Sequence, residues 1–202
     1  MAGKPVKPGR LESGQAVVFV CDIQERFRNV ASHMPTVIDT VRRLMRGAEA
    51  LHVPVVVTEQ YPAGLGHTVV ELRGVQPNNT LVVSKTAFTM LVPEVQAYLS
   101  KHPKIKQVIL CGIEAHVCVF QTALDCLERG YEVHLIVDGV SAQYLTDRAV
   151  GIQRIAQAGA HLASAQMVLF QMAGNAKHPA FKTISALAKE TRAHPLPIVS
   201  NL

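Results

Sequence analysis

The sequence predicts an α/β fold, a three-layer α-β-α sandwich around a six-stranded, mostly parallel sheet. Three observations carry that prediction. Apolar blocks recur that are too short for helices, they lack the polar alternation of half-exposed strands, and amphipathic stretches of helical period separate them. Strands buried on both faces have this composition, and a chain that alternates strand with helix closes each crossover right-handedly.

Taken in order, the blocks are Ala16 to Cys21, Pro54 to Thr58, Thr80 to Ser84, Gln107 to Cys111, Glu132 to Val137 and a weaker His161 to Ser164. Each is rich in Val, Ile and Leu. Between them the period changes. After the fourth block Val117, Phe120, Leu124 and Leu127 fall three or four apart, with Asp125, Glu128 and Arg129 on other faces and Gly130 at the stop. Similar patterns predict helices over Thr36 to Leu51, Pro93 to Lys101, Thr146 to Ala158 and Pro179 to Glu190, and an apolar helix near Leu162 to Met172.

The chain has 202 residues, 49% of them hydrophobic, which suffices for one sizeable core. Residues 1–12 are expected to be a flexible tail and 13–202 one domain. The longest apolar runs fall far short of the roughly 18 residues a membrane span needs, so no membrane association is expected. The basic start, with Lys4, Lys7 and Arg10, lacks the apolar stretch of a secretory signal. Cytosol is the expected compartment, with mitochondrion as the alternative. Four cysteines without paired spacing match neither a disulfide framework nor a zinc ribbon. The net charge of +5 would favour a polyanion, yet only Arg42, Arg43 and Arg46 form a tight basic group, and a solvated helix face explains them.

In open parallel sheets ligands bind beyond the carboxyl ends of the strands, which singles out polar residues just after each strand. Asp22 follows the first, Lys85 the third, and Cys118 lies a short turn past the fourth, at the start of its helix. A thiol there has its thiolate stabilised by the helix terminus and by a nearby lysine. Asp22 can then serve as base and Lys85 as the cation beside it. Cys21, Cys111 and Cys126, at strand ends or inside a helix, are expected to be small buried hydrophobes.

These residues carry a resemblance. Asp22-Ile23-Gln24-Glu25-Arg26-Phe27 resembles the Asp-x-Gln-x-x-Phe motif of the isochorismatase-like hydrolases, Ser84-Lys85-Thr86-Ala87-Phe88 resembles their lysine loop, and Gly112 to Cys118 resembles their nucleophile segment. The likeness extends over about residues 13 to 175 and is closest to the isochorismatase domain-containing subgroup. It implies a cysteine hydrolase with an Asp22-Lys85-Cys118 triad acting on an amide-like carbon–nitrogen bond through a thioester, without a cofactor. It also implies a cis peptide at Ile113-Glu114, with the backbone N–H groups of Glu114 and Cys118 aimed at the oxyanion. Gln24, Phe27, Gln60, Tyr61, Phe88 and His116 come from loops at the same edge and are candidates for lining a substrate pocket. The likeness further implies a homo-oligomer.

The departures from that family pattern are informative. Nicotinamidases of the superfamily carry an Asp-x-His-Pro metal motif after the second strand, whereas this chain has Thr58-Glu59-Gln60-Tyr61-Pro62. Glu59 and His67 alone fall short of the three protein ligands usual for catalytic zinc, so no metal is expected. The other histidines show no ligand spacing. Two readings of other classes stay open: a basic RNA-associated or ribonuclease-like factor, and a non-catalytic binding protein on the same fold. Only 5% of the chain is aromatic, which leaves few platforms for stacking bases.

Overall fold

The computed structural model describes residues 8–191. Its six strands, β1 (Ala16–Cys21), β2 (Val55–Gln60), β3 (Leu81–Lys85), β4 (Gln107–Ile113), β5 (Glu132–Ser141) and β6 (His161–Ala163), form one sheet in the order β3-β2-β1-β4-β5-β6, and every pairing is parallel. Helices α1 (Met34–Ala50), α2 (Pro62–Leu65), α3 (Val70–Arg73), α4 (Pro93–Lys101), α5 (Cys118–Glu128), α6 (Leu145–Gln157), α7 (Ala165–Ala173) and α8 (Phe181–Lys189) complete it.

All six residues of β1 are buried, because the strand is central and both of its faces are covered. Ala16, Val18 and Val20 point into an apolar layer shared with α1, α7 and α8. Val17, Phe19 and Cys21 point the opposite way, into a layer built with α4, α5 and α6. Strand order reverses between β1 and β4, so the crevice at their carboxyl ends is where such a sheet accepts a ligand.

Three sequence expectations change. β2, β3, β4 and β5 run past their predicted ends, to Gln60, Lys85, Ile113 and Ser141, and the extensions of β2, β3 and β5 carry polar residues that apolar patterning cannot include. β5 continues beyond a register shift opposite Leu110/Gly112, where the buried Arg148 side chain binds the carbonyls of Val140, at 2.9 Å, and Val137. The apolar helix begins only at Ala165, since Leu162 belongs to β6 and the Ser164 hydroxyl caps the new helix by accepting the Met167 N–H. Residues 1–7 of the expected tail lie outside the described residues. Leu11 is buried, and Gln107 ties down residues 10–12 by donating to the Arg10 carbonyl at 2.7 Å and accepting the Glu12 N–H at 2.9 Å, so the chain is anchored before Ser13.

The Arg42, Arg43 and Arg46 group is neutralised by acids. Arg42 meets Asp39 and Glu190, Arg43 meets Asp39 at 2.8 Å, and Arg46 meets Glu190 at 2.6 Å. Among the described residues no helix is long and apolar enough to cross a membrane.

His134 gives the fold a pH dependence. Its ring is buried on β5, with Nε2 lacking a hydrogen-bond partner and Glu132 at 3.8 Å. Burial first, and neighbouring His161 second, hold its pKa down at about 4, while an unfolded histidine titrates near ~6.5. The unfolded chain therefore takes up the proton first. The stability this neutral ring contributes is complete above pH ~6.5 and is lost as pH falls toward about 4. His134→Leu is expected to flatten the acid limb of the urea midpoint between those values, and identical slopes in the two proteins would refute the assignment.

Candidate active site

Asp22 leaves β1 in the left-handed region, at φ 51°, a conformation that Asp tolerates better than most residues. The turn keeps its carboxylate beneath the edge of the sheet, fully buried. Lys85, the last residue of β3, reaches across β2 to it, and Nζ lies 2.7 Å from Oδ2 with both side chains almost wholly removed from solvent. Three further acceptors surround the ammonium: Gln60 Oε1 at 2.7 Å and the carbonyls of Ala87 and Phe88 at 3.1 Å. The other Asp22 oxygen accepts the Thr58 hydroxyl at 2.7 Å. Such saturation is what a buried pair of opposite charge requires.

Cys118 is the first residue of α5 and is 8% exposed. Its carbonyl accepts the Thr122 hydroxyl at 2.6 Å, and that hydroxyl in turn accepts the Met90 N–H, which ties the helix start to the loop after Lys85. The peptide between Ile113 and Glu114 is cis, as the resemblance implies. Among the described residues the N–H groups of Glu114 and Cys118 have no acceptor, whereas Ala115 N–H binds Ser141 O and Val117 N–H binds Glu114 O. α6 packs against this loop at Gly151, where a Cβ would lie 2.7 Å from the Ala115 backbone.

The structure brings Asp22 and Lys85 into direct contact, while among the described residues no hydrogen bond joins the Cys118 side chain to either of them. The Cys21 thiol points at Asp22 Oδ2 from 3.5 Å. Burial, then Cys118 and Asp22, push the Cys21 thiol well above the usual range. Cys21 is buried as expected, yet it belongs to the site. The signal for it was its place immediately before Asp22, on the face of β1 that carries Val17 and Phe19. Thr58 was also missed, because a threonine closing a strand looks like any other.

The candidate lining residues divide. Gln60 touches Lys85, and Phe88 and Tyr61 are about half exposed at the same edge, Tyr61 lining a 450 Å³ cavity with Lys85, Thr86 and Ala87. Phe27 lines a separate 810 Å³ cavity with Val30, Pro62 and Leu65. Gln24 takes a structural part. It is buried and committed as a clamp, accepting the Gln60 N–H at 2.7 Å and donating to the carbonyls of Gln60 at 2.9 Å and Gly66 at 2.6 Å. His116 turns toward α6, with Nε2 3.9 Å from Asp147. Glu59 accepts from Thr68 N at 2.7 Å and Thr68 Oγ1 at 2.8 Å and meets His67 Nδ1 at 2.9 Å, so it pins the segment that follows α2.

Comparison with known proteins gives the family. The isochorismatase domain matches residues 16–167. The human isochorismatase domain-containing protein 2 is 42% identical over 94% of this chain and 91% of its own length. A secreted isochorismatase effector, Isc1, of Phytophthora sojae is 45% identical over 90% of this chain and 88% of its own. Among solved structures, one described as MAR1 ribonuclease from Caenorhabditis elegans superposes with a TM-score of 0.89 at 41% identity, covering 94% of this chain and 98% of that one. The chain belongs to the isochorismatase family of hydrolases.

Proposed function

We propose that this protein hydrolyses an amide-like carbon–nitrogen bond of a small molecule, with Cys118 as nucleophile. The observation that carries the proposal is the buried Lys85–Asp22 pair at the β1/β4 crevice, in contact with Cys21, which shares an apolar layer with Cys118. Asp22 takes the Cys118 proton, sulfur adds to the carbonyl carbon, and the carbon–nitrogen bond breaks as the same proton passes to the leaving amine. Water then adds to the thioester and restores the thiol. Lys85 holds the carboxylate in place, and the free N–H groups of Glu114 and Cys118 receive the developing oxyanion.

A panel of amides and other small carbonyl compounds, assayed with wild type and Cys118→Ala in parallel, tests the proposal. The variant is expected to lose at least about a thousandfold in rate on any compound turned over. In limited iodoacetamide labelling of the folded protein Cys118 is expected to react before Cys21, Cys111 and Cys126. Earlier labelling of another cysteine would overturn the assignment. The name of the Caenorhabditis elegans relative favours RNA as a further arm of the panel. RNA cleavage that survives Cys118→Ala would move the activity to the ribonuclease reading.

We also propose that the protein is a homo-oligomer. Val30, Tyr61, Phe88, Tyr144 and Leu145 are all more than 40% exposed, on loops that follow the carboxyl ends of strands or, for Leu145, at the start of α6, and a second copy would cover them. Sedimentation equilibrium at micromolar concentration is expected to give a multiple of 21.9 kDa; the single mass would count against it.

A further inference from the structure

Of the four cysteines, Cys21, Cys118 and Cys126 share one apolar layer, on the α5 face of the sheet. The backbone brings Cys21 and Cys118 to the same edge of the sheet. Cys21 ends β1 opposite Gly112 of β4, and from Gly112 the chain turns through the cis peptide directly into the helix that Cys118 opens. Cys118 is among the groups that raise the Cys21 thiol, and the Cys21 Sγ has a proton acceptor, Asp22 Oδ2, at 3.5 Å. The other thiols are placed differently. Cys111 lies on the opposite face of the sheet with its thiol donating to Phe19 O at 3.4 Å, and Cys126 is about 12 Å further along α5.

We propose that Cys21 is a resolving thiol for Cys118, so that oxidation of Cys118 by hydrogen peroxide ends in a reversible Cys21–Cys118 disulfide. The proposal rests on the nucleophile assignment made above. In the first step the Cys118 thiolate attacks one peroxide oxygen. A sulfur–oxygen bond forms, the oxygen–oxygen bond breaks, and hydroxide leaves to be protonated by solvent. Cys118 is oxidised by two electrons to the sulfenic acid and the peroxide is reduced to water. In the second, the Cys21 proton passes to Asp22, its sulfur attacks the Cys118 sulfur, and the sulfur–oxygen bond breaks. The departing hydroxide takes that proton and leaves as water. An external dithiol reverses the bond by exchange.

The pairing has a direct chemical advantage. A sulfenic acid without a neighbouring thiol is exposed to further oxidation, to sulfinic and sulfonic acids that thiols do not reduce. Cys21 itself is a poor first target for peroxide, since it is fully buried and burial favours its protonated form. Only Cys118, at the surface end of the pair, is reached from solvent, so the order of events is set by position.

The experiment treats the full-length protein with stoichiometric hydrogen peroxide, blocks free thiols, and maps peptides without reduction. Wild type is expected to yield a linked pair containing Cys21 and Cys118, short of two hydrogens and cleaved by dithiothreitol. Cys21→Ser and Cys21→Ala, checked for folding by circular dichroism, are expected to show at least about a tenfold greater yield of Cys118 sulfinic and sulfonic acids. The wild-type map is decisive even if neither variant folds. No linked peptide, with Cys118 overoxidised in wild type, would overturn the resolving role, and so would a link to Cys111 or Cys126. Alkylation of the reduced protein separates the two ideas. If Cys118 alkylates first and no link forms, the resolving role alone falls; if Cys118 does not alkylate first, the nucleophile assignment falls.

Discussion

Lys85→Met is expected to destabilise the protein by about 3–5 kcal/mol, among the largest effects of any single substitution in the chain. The methionine fills the space but supplies no proton to Asp22 Oδ2, Gln60 Oε1 or the carbonyls of Ala87 and Phe88, all of which face Nζ within 3.1 Å. Asp22 is then left as a buried charge supported by Thr58 and Cys21 alone. Asp22→Leu should cost a similar amount for the reciprocal reason. The double variant is expected to cost less than the sum of the two, because replacing both partners removes the uncompensated charge. Chemical denaturation of the four proteins closes the cycle. Strict additivity would mean that the two charges are not coupled, despite their 2.7 Å separation.

Gly112→Ala is the second large effect. A Cβ at Gly112 would sit 2.0 Å from the Cys21 carbonyl oxygen and 2.7 Å from the Cys21 carbonyl carbon and nitrogen, and all three are backbone atoms of the central strand. Its φ of +125° adds strain of its own. Together these are expected to cost about 2–6 kcal/mol and to displace both Asp22 and the nucleophile loop, which flank the contact. Gly159→Ala is the control. Its φ is +108°, and no atom lies within 4 Å of the added Cβ, so it reports the dihedral cost alone. Thermal denaturation should place Gly112→Ala well below Gly159→Ala. Equal midpoints would show that the sheet yields at β1 to admit the methyl group.

Much of this architecture was legible in the residues. Strands buried on both faces announce themselves as runs of Val, Ile and Leu, and α4 begins and ends where the Pro93 to Lys101 pattern places it. Asp22, Lys85 and Cys118 could be singled out because each follows a strand at the edge where open sheets do chemistry. What escaped the sequence depends on partners distant in the chain. Glu190 neutralises Arg42 and Arg46 from more than 140 positions away. Gln24 looked like a pocket residue because nothing local reveals that Gln60 and Gly66 exhaust its amide. The far end of β5 is held by a buried arginine from α6, and the one-turn helices α2 and α3 are too short to show a period.

The parallel pairing that builds the crevice also dictates when it can exist. Asp22 and Lys85 are 63 positions apart and Asp22 and Thr58 are 36 apart, and no local hairpin can bring them together. Chain closure over such spans is slow, and parallel sheets incur that entropy cost before their contacts reward it. The central strand must dock between β2 and β4 before any of these side chains meet, so reactive chemistry at Cys118 is a late event in folding. During refolding from denaturant, helical circular dichroism should therefore return ahead of the selective alkylation of Cys118, and the interval between the two signals times the assembly of the sheet around β1.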